Sequence, residues 1–248
     1  MRRNASHKVL GMSAPRVIVV QNTPHGGPRR LGDWLSEDGL DLEVVHGYDG
    51  GAIPTSATGY DALVVLGGGY MPDDDTGAPW LAPTRDLMRS ALDADLPVLG
   101  ICLGGQMLAH VTGGAVRADA GAPEVGSTAI TLRPEADDDA LFGDLPRDIT
   151  AVENHVDVIE KLPPEAVWLA SSQLCPIQAF RVGRAAWGLQ FHPETSADNV
   201  EEWGPEGMAG RGFDPTEVKQ RTRAADPVAA PHWRRMTSRF AAVVAGRD

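Results

Sequence analysis

Cysteine is scarce in this chain of 248 residues, which contains only Cys102 and Cys175. Two cysteines cannot form a disulfide framework, and they cannot supply a zinc site built from four thiolates. This scarcity favours a reducing, cytoplasmic location. Any thiol chemistry must therefore come from one of these two side chains.

Excess basic charge and long apolar runs are missing as well. The formal net charge of −12 argues against a nucleic-acid partner, because phosphate binding needs a basic face. No apolar run reaches membrane-spanning length, and residues 1–14 lack an apolar segment of signal-peptide length. We therefore expect a flexible leader over 1–14, a single domain over 15–248, and no membrane partner.

Strands and helices alternate through the first half of the sequence. Apolar, β-branched runs predict strands over 16–21, 41–46, 62–66 and 97–101. Amphipathic patterns between them predict helices over 29–37 and 80–92. This alternation indicates right-handed βαβ units and a mainly parallel central sheet.

The pattern changes after Gly113. Short β-like runs separated by proline, glycine and aspartate turns predict an antiparallel excursion attached to the parallel sheet. Residues 138–142 favour a short helix, and 185–191 predicts a final buried strand. The tail over about 195–248 predicts three separate helices, over 198–203, 215–224 and 231–244.

The most informative stretch is 96–106, where a buried strand meets a helical pattern. Cys102 stands at the turn, and the helical pattern begins at Gln106. Such a turn exposes a side chain at the carboxyl edge of a parallel sheet, where the helix amino terminus favours a thiolate. Cys102 is therefore a candidate nucleophile in a pattern that resembles the G-x-S-x-G elbow. A buried structural cysteine is the alternative.

A second feature is the tripeptide His192-Pro193-Glu194, which follows the last predicted strand. Proline restrains its neighbour to extended geometry, so residues i and i+2 point to the same side. Glu194 can then accept a hydrogen bond from one imidazole nitrogen and leave the other facing a nucleophile. A surface His-Pro turn is the alternative for the isolated tripeptide, but pairing with Cys102 favours the catalytic interpretation.

Three consecutive glycines, Gly67, Gly68 and Gly69, end the third predicted strand. No Lys-Ser or Lys-Thr follows, which excludes a phosphate-binding P-loop. A plain turn is one interpretation. The loop could also supply backbone N–H groups to a developing oxyanion, a role that needs close backbone approach.

Two segments, GICLGGQ over 100–106 and GLQFHPE over 188–194, resemble the two signatures of class I glutamine amidotransferase domains. The segment 154–157 (NHVD) is similar to the GMP synthetase type of that family. The resemblance extends from about residue 16 to 194. It implies an α/β fold, a three-layer flavodoxin-like sandwich with a helical C-terminal tail, and no cofactor or metal.

The resemblance also implies catalytic roles. Cys102 would attack the side-chain amide of glutamine, and His192, oriented by Glu194, would move protons. The products would be a γ-glutamyl thioester and ammonia, and water would then release glutamate. Family precedent places the oxyanion donors on the backbone N–H groups of Leu103 and of a glycine in the 67–69 loop, for which we select Gly68.

The same resemblance implies a substrate pocket. Gly69, Gln106, Asn154 and His155 would line it. An alternative with equal support makes His155 structural, braced by a hydrogen bond with Asp157.

The acceptor of the ammonia is not implied by any motif. The fifty or so residues after Glu194 contain no Walker motif and no Ser-Gly-Gly-x-Asp motif, so we expect a stand-alone amidotransferase-like protein. Its small-molecule partner would be glutamine or a γ-glutamyl compound, and its protein partner would be a separate synthase or ligase. The alternative is a γ-glutamyl hydrolase or peptidase, and a non-catalytic regulatory protein is a third possibility.

Overall fold

A computed structural model describes residues 13–120 and 122–246. Most of the expected leader over 1–14 lies outside the described residues. The strands of the described chain are β1 (Arg16–Gln21), β2 (Asp41–His46), β3 (Ala62–Val65), β4 (Val98–Ile101), β5 (Ala115–Arg117), β6 (Glu124–Leu132), β7 (Asp148–His155), β8 (Val158–Lys161), β9 (Val167–Ser171), β10 (Ala179–Val182) and β11 (Ala186–Leu189). The helices are α1 (Arg29–Glu37), α2 (Leu81–Asp93), α3 (Leu103–Val111), α4 (Ala197–Glu201), α5 (Pro205–Ala209) and α6 (Pro215–Val244).

Nine of these strands form one sheet in the order β2-β1-β3-β4-β11-β10-β9-β6-β7. Strands β2, β1, β3, β4 and β11 pair in parallel, and β11, β10, β9, β6 and β7 pair in antiparallel fashion. The expected α/β class and the antiparallel excursion are confirmed. The antiparallel strands continue the central sheet itself, while β5 and β8 form a separate two-stranded sheet.

Helices cover both faces of the sheet and complete the three-layer sandwich. Val17 and Val19 of β1 face a core that includes α1 and α6. Ile18 and Val20 point the other way, into a core that includes α2 and α3. Because successive strand residues point to opposite faces, a continuous apolar run is what a doubly covered strand requires.

The C-terminal tail differs from its expected form. The predicted helices over 215–224 and 231–244 are one continuous helix, α6, with Pro227 and Pro231 inside it. A proline removes a backbone donor and clashes with the preceding turn, which disfavours a helix interior. Packing of Trp233 and Phe240 into the sheet core offsets that cost.

The short helix expected over 138–142 is also absent; this segment forms turns. The Asp139 carboxylate accepts hydrogen bonds from the backbone N–H groups of Leu141 and Phe142, and from the indole of Trp187. A side chain that captures nearby N–H groups competes with the helical hydrogen-bond pattern. None of the helices within 13–120 and 122–246 is long and apolar enough to cross a bilayer.

Candidate active site

Cys102 lies between β4 and α3 with φ 51° and ψ −108°. A positive φ is strained for a residue with a side chain, and such strain is typical of functional turns. Helix α3 begins at Leu103, three residues earlier than the pattern from Gln106 predicted. The expected strand-to-helix elbow is therefore present and tighter than expected.

The glycines of the elbow serve packing of the helix against the sheet. A Cβ at Gly104 would lie 2.0 Å from the Val65 carbonyl oxygen, and one at Gly105 would lie 2.5 Å from that of Leu189. Any side chain at these positions would push α3 away from β3 and β11. These glycines thus fix how closely the amino end of α3 approaches the strands that surround Cys102.

His192 reaches Cys102 because β11 is the parallel neighbour of β4. The backbone N–H of Cys102 donates to the Leu189 carbonyl at 2.7 Å, which extends the pairing to the elbow. A Cβ placed on Gly67 would lie 2.9 Å from His192 Cε1 and 3.4 Å from Cys102 Cβ. The loops after β3, β4 and β11 therefore converge at one edge of the sheet.

The imidazole of His192 is held by Glu194. Nδ1 lies 2.6 Å from Glu194 Oε1, and Nε2 is buried with no hydrogen-bond partner among the described residues. Burial lowers the pKa of His192, but the negative charges of Glu194 and Cys102 outweigh it and hold this pKa well above its usual range. The arrangement favours an imidazolium beside a thiolate.

The backbone donors expected at the oxyanion site are close together. Leu103 is the first residue of α3, so its N–H has no partner within the helix. A Cβ at Gly68 would lie 2.8 Å from Leu103 Cδ2, so the glycine loop packs directly on the start of α3. The assignment of Gly68 and Leu103 as oxyanion donors stays a prediction.

Sequence reasoning missed Gln190, whose amide contacts the sulfur. Gln190 Nε2 lies 3.7 Å from Cys102 Sγ, and Gln190 Oε1 accepts a hydrogen bond from Gln106 Nε2 at 3.2 Å. Gln106 is 2% exposed and does not line the cavity described below, contrary to its expected pocket role. The position of Gln190 inside the GLQFHPE segment is the signal that could have identified it.

His155 is also buried away from the cavity, which favours the structural alternative for this residue. Its Nδ1 donates to the backbone carbonyl of Asp157 at 3.1 Å rather than to the expected side chain. Its Nε2 lies 3.1 Å from Glu124 Oε2 and 3.4 Å from Glu153 Oε2. Both carboxylates are buried, and burial together with the charge of Glu124 raises the pKa of Glu153 well above its usual range.

A cavity of about 650 Å³ opens over the elbow. The predicted residues that line it are Gly68, Gly69, Cys102, Asn154, His192 and Glu194. Helices α4 and α5 and the loops beside them form the opposite wall with Trp203, Met208 and Arg211. Arg211 donates to Asn154 Oδ1 at 2.7 Å, so this wall is joined to β7.

Comparison with known proteins agrees with this site. Residues 31–202 match the sequence model of glutamine amidotransferase class I. The glutamine-hydrolysing subunit of GMP synthase from Thermoplasma acidophilum is 33% identical over 182 residues, covering 72% of this chain and 84% of the relative. The corresponding protein from Methanococcus vannielii is 35% identical over 122 residues, covering 49% of this chain and only 62% of the relative, so this match spans less than two thirds of that protein.

Solved structures show the same fold. A glutamine amidotransferase from Thermotoga maritima superposes with a TM-score of 0.82 at 24% identity, covering 92% of this chain and 98% of its own. One from Methylobacillus flagellatus gives a TM-score of 0.82 at 26% identity, covering 92% and 94%. The elbow, the neighbouring histidine and glutamate, and these matches place the chain in the class I glutamine amidotransferase family.

Proposed function

We propose that this protein hydrolyses the side-chain amide of glutamine and supplies the ammonia to a separate synthase or ligase subunit. One observation carries the proposal. His192 is bonded to Glu194 at 2.6 Å, with its other nitrogen buried and unpartnered among the described residues, at the cavity that also exposes Cys102. This is the geometry of a nucleophile, a base and an orienting carboxylate.

In the first step the Cys102 thiolate attacks the amide carbon of glutamine. The carbon–sulfur bond forms, and the carbonyl electrons move to oxygen, where the N–H groups of Gly68 and Leu103 would stabilise the charge. The His192 imidazolium then donates its proton to the departing nitrogen. The carbon–nitrogen bond breaks, which leaves ammonia and a γ-glutamyl thioester.

In the second step His192, now neutral, accepts a proton from water. The resulting hydroxide attacks the thioester, and the carbon–sulfur bond breaks to release glutamate and restore the Cys102 thiolate. Glu194 keeps the imidazole oriented and stabilises its positive form in both steps, without accepting the proton itself.

The partner proposal is supported by the names of the relatives. Those reported above are described as subunits of GMP synthase, and a more distant structural neighbour is the assembly PurLQS from Thermotoga maritima. A free amidotransferase that releases ammonia needs a second active site that consumes it. The acceptor chemistry would reside in that partner.

Glutamate release from glutamine tests the proposal, measured for the wild type and for Cys102→Ala, alone and with a candidate synthase from the neighbouring genes. Turnover that depends on Cys102 supports the proposal. A wild type that releases no glutamate under either condition contradicts it.

A second candidate function is hydrolysis of a larger γ-glutamyl amide or peptide. The cavity favours it, because 650 Å³ lies within the range of pockets that bind drug-sized ligands and its outer wall of α4 and α5 extends beyond the elbow. A higher kcat/KM for γ-glutamyl peptides than for glutamine would select this alternative. Removal of the Trp203 ring by Trp203→Ala should then weaken peptide turnover more than glutamine turnover.

A further inference from the structure

We propose that Arg30 of α1 and Asp226 of α6 are positioning residues that hold the turn carrying His192 and Glu194. This inference rests on the proposed function, because it assigns a task within the same site. It makes the long C-terminal helix a support of the catalytic geometry.

Arg30 contacts the turn directly. Its Nε donates to the Pro193 carbonyl at 2.8 Å, and its Nη1 lies 2.7 Å from Asp226 Oδ1. The other carboxylate oxygen of Asp226 accepts the backbone N–H of Ala197 at 3.1 Å. One ion pair therefore grips the chain at Pro193, between the two triad residues, and again just after Glu194.

This pair is well suited to fix a backbone segment. The Arg30 and Asp226 side chains are only 13% and 18% exposed, so solvent screens them less than it screens a surface pair. The guanidinium fork lets one side chain bind the carbonyl and the carboxylate at once, which a lysine ammonium does with less defined geometry.

The position of the Pro193 carbonyl decides the geometry of the triad. Rotation of this peptide group would swing Glu194 relative to His192 and lengthen the 2.6 Å hydrogen bond between them. Proline fixes its own φ, so the carbonyl orientation is the main freedom left in the turn. Holding that carbonyl from α1 and α6 removes it.

Helix α6 supports the same strand end at a second point. The ring of Trp233 packs on Phe191, the residue before His192, with ring centroids 4.7 Å apart. The Trp233 indole N–H also donates to the Thr150 carbonyl of β7 at 3.0 Å. Helix α6 thus contacts the chain on both sides of His192.

The chain offers a matched control in a second ion pair between the same parts of the fold. Arg234 of α6 binds both carboxylate oxygens of Asp38, at the end of α1, at 2.6 and 2.8 Å. This pair makes no contact with the turn at His192. It should contribute to the packing of α6 on α1 without affecting the triad.

The experiment compares Arg30→Lys and Asp226→Asn with Arg234→Lys and Asp38→Asn in the full chain. We expect kcat for glutamine to fall about 10- to 100-fold in the first two variants, because small displacements of catalytic groups have effects of this size. KM should stay within about twofold of the wild-type value, since neither residue touches the substrate in this mechanism. The control pair should leave kcat unchanged while lowering Tm by a comparable amount.

Alkylation of Cys102 by iodoacetamide gives a readout that needs no substrate. A misplaced His192 stabilises the thiolate less, so labelling at neutral pH should slow in Arg30→Lys and not in Arg234→Lys. Unchanged labelling in Arg30→Lys overturns the proposal whatever kcat does, and so does an equal loss of kcat in both pairs. If the wild type hydrolyses no glutamine, the proposed function fails, but labelling still decides whether Arg30 positions the triad.

Discussion

The two cysteines are both buried, at 6% and 1% exposed, yet their surroundings are opposite. Cys102 sits in a strained turn at a cavity, beside an imidazole that favours the positive form. Cys175 donates to the Ile177 carbonyl at 3.6 Å, and burial together with the charges of Glu153 and Glu124 raises its pKa. The sign of the neighbouring charge, more than exposure, separates a reactive thiol from an inert one.

The largest expected effect comes from removing each sulfur in turn. Cys102→Ala should lower kcat for glutamine by at least about 10⁴-fold, because the covalent route is lost. Cys175→Ala should leave kcat within about twofold, since its thiol is held neutral away from the cavity. Initial rates of glutamate release measure both. Substantial loss in Cys175→Ala would show that the two thiols are not as different as their surroundings indicate.

Glu194→Gln should weaken the positive surroundings of Cys102 and lower kcat by roughly 10²- to 10³-fold. The groups that raise the pKa of His192 are Glu194 and Cys102, and the buried carboxyl of Glu153 also lies near it. Loss of the Glu194 charge lowers the pKa of His192, so the imidazolium needed to protonate the departing ammonia is lost at a lower pH.

The alkaline limb of the rate profile should therefore move toward lower pH in this variant. In the wild type it should lie well above pH 6.5, the ordinary value for histidine. The rate of glutamate release, measured from below pH 6.5 to well above it, tests this shift. Superimposable profiles would mean that Glu194 does not set the charge of His192.

Gly67→Ala should disturb the surroundings of Cys102 and not those of Cys175, and it should lower kcat about 10- to 100-fold. The added methyl group would lie 2.9 Å from His192 Cε1 and 3.4 Å from Cys102 Cβ, too close for both to stay in place. Gly27→Ala is the control, because its methyl group would lie 3.5 Å from the nearest atom, on Gln21. Equal rates in the two alanine variants would contradict this packing.

The smallest expected effect concerns Glu153, whose buried carboxyl raises the pKa of Cys175 and lies near the triad. Burial and the charge of Glu124 raise the pKa of Glu153, so the folded state retains a proton that the unfolded state releases above pH 4.5. Wild-type stability should thus fall as pH rises from 4.5 toward the folded-state pKa. Glu153→Gln cannot titrate, and its Tm should fall less steeply. Parallel Tm curves for the two proteins would show that Glu153 is ionised when folded.

The parallel half of the sheet could be predicted from local patterns. Strands β1 and β2 and helix α1 have the predicted bounds, because each apolar pattern is complete within a few residues. Cys102, His192 and Glu194 could be identified from short motifs, and the structure brings them to one cavity.

What could not be predicted depends on contacts between distant segments. Arg30 and Asp226 are 196 positions apart, and nothing near either one indicates the other. The cavity wall of α4 and α5 depends on how the tail folds back over the elbow. Pro227 and Pro231 misled the prediction of two helices, since only tertiary packing makes α6 continuous.

The pairing of β4 with β11 has a consequence for how such a protein can change over evolution. The sulfur and the imidazole are carried at the ends of adjacent, hydrogen-bonded strands, so their spacing is as stiff as the sheet itself. The opposite wall, built by α4 and α5, belongs to no strand and is free to vary. New substrates can therefore be accommodated by rebuilding that wall, while the chemistry beneath it is inherited intact.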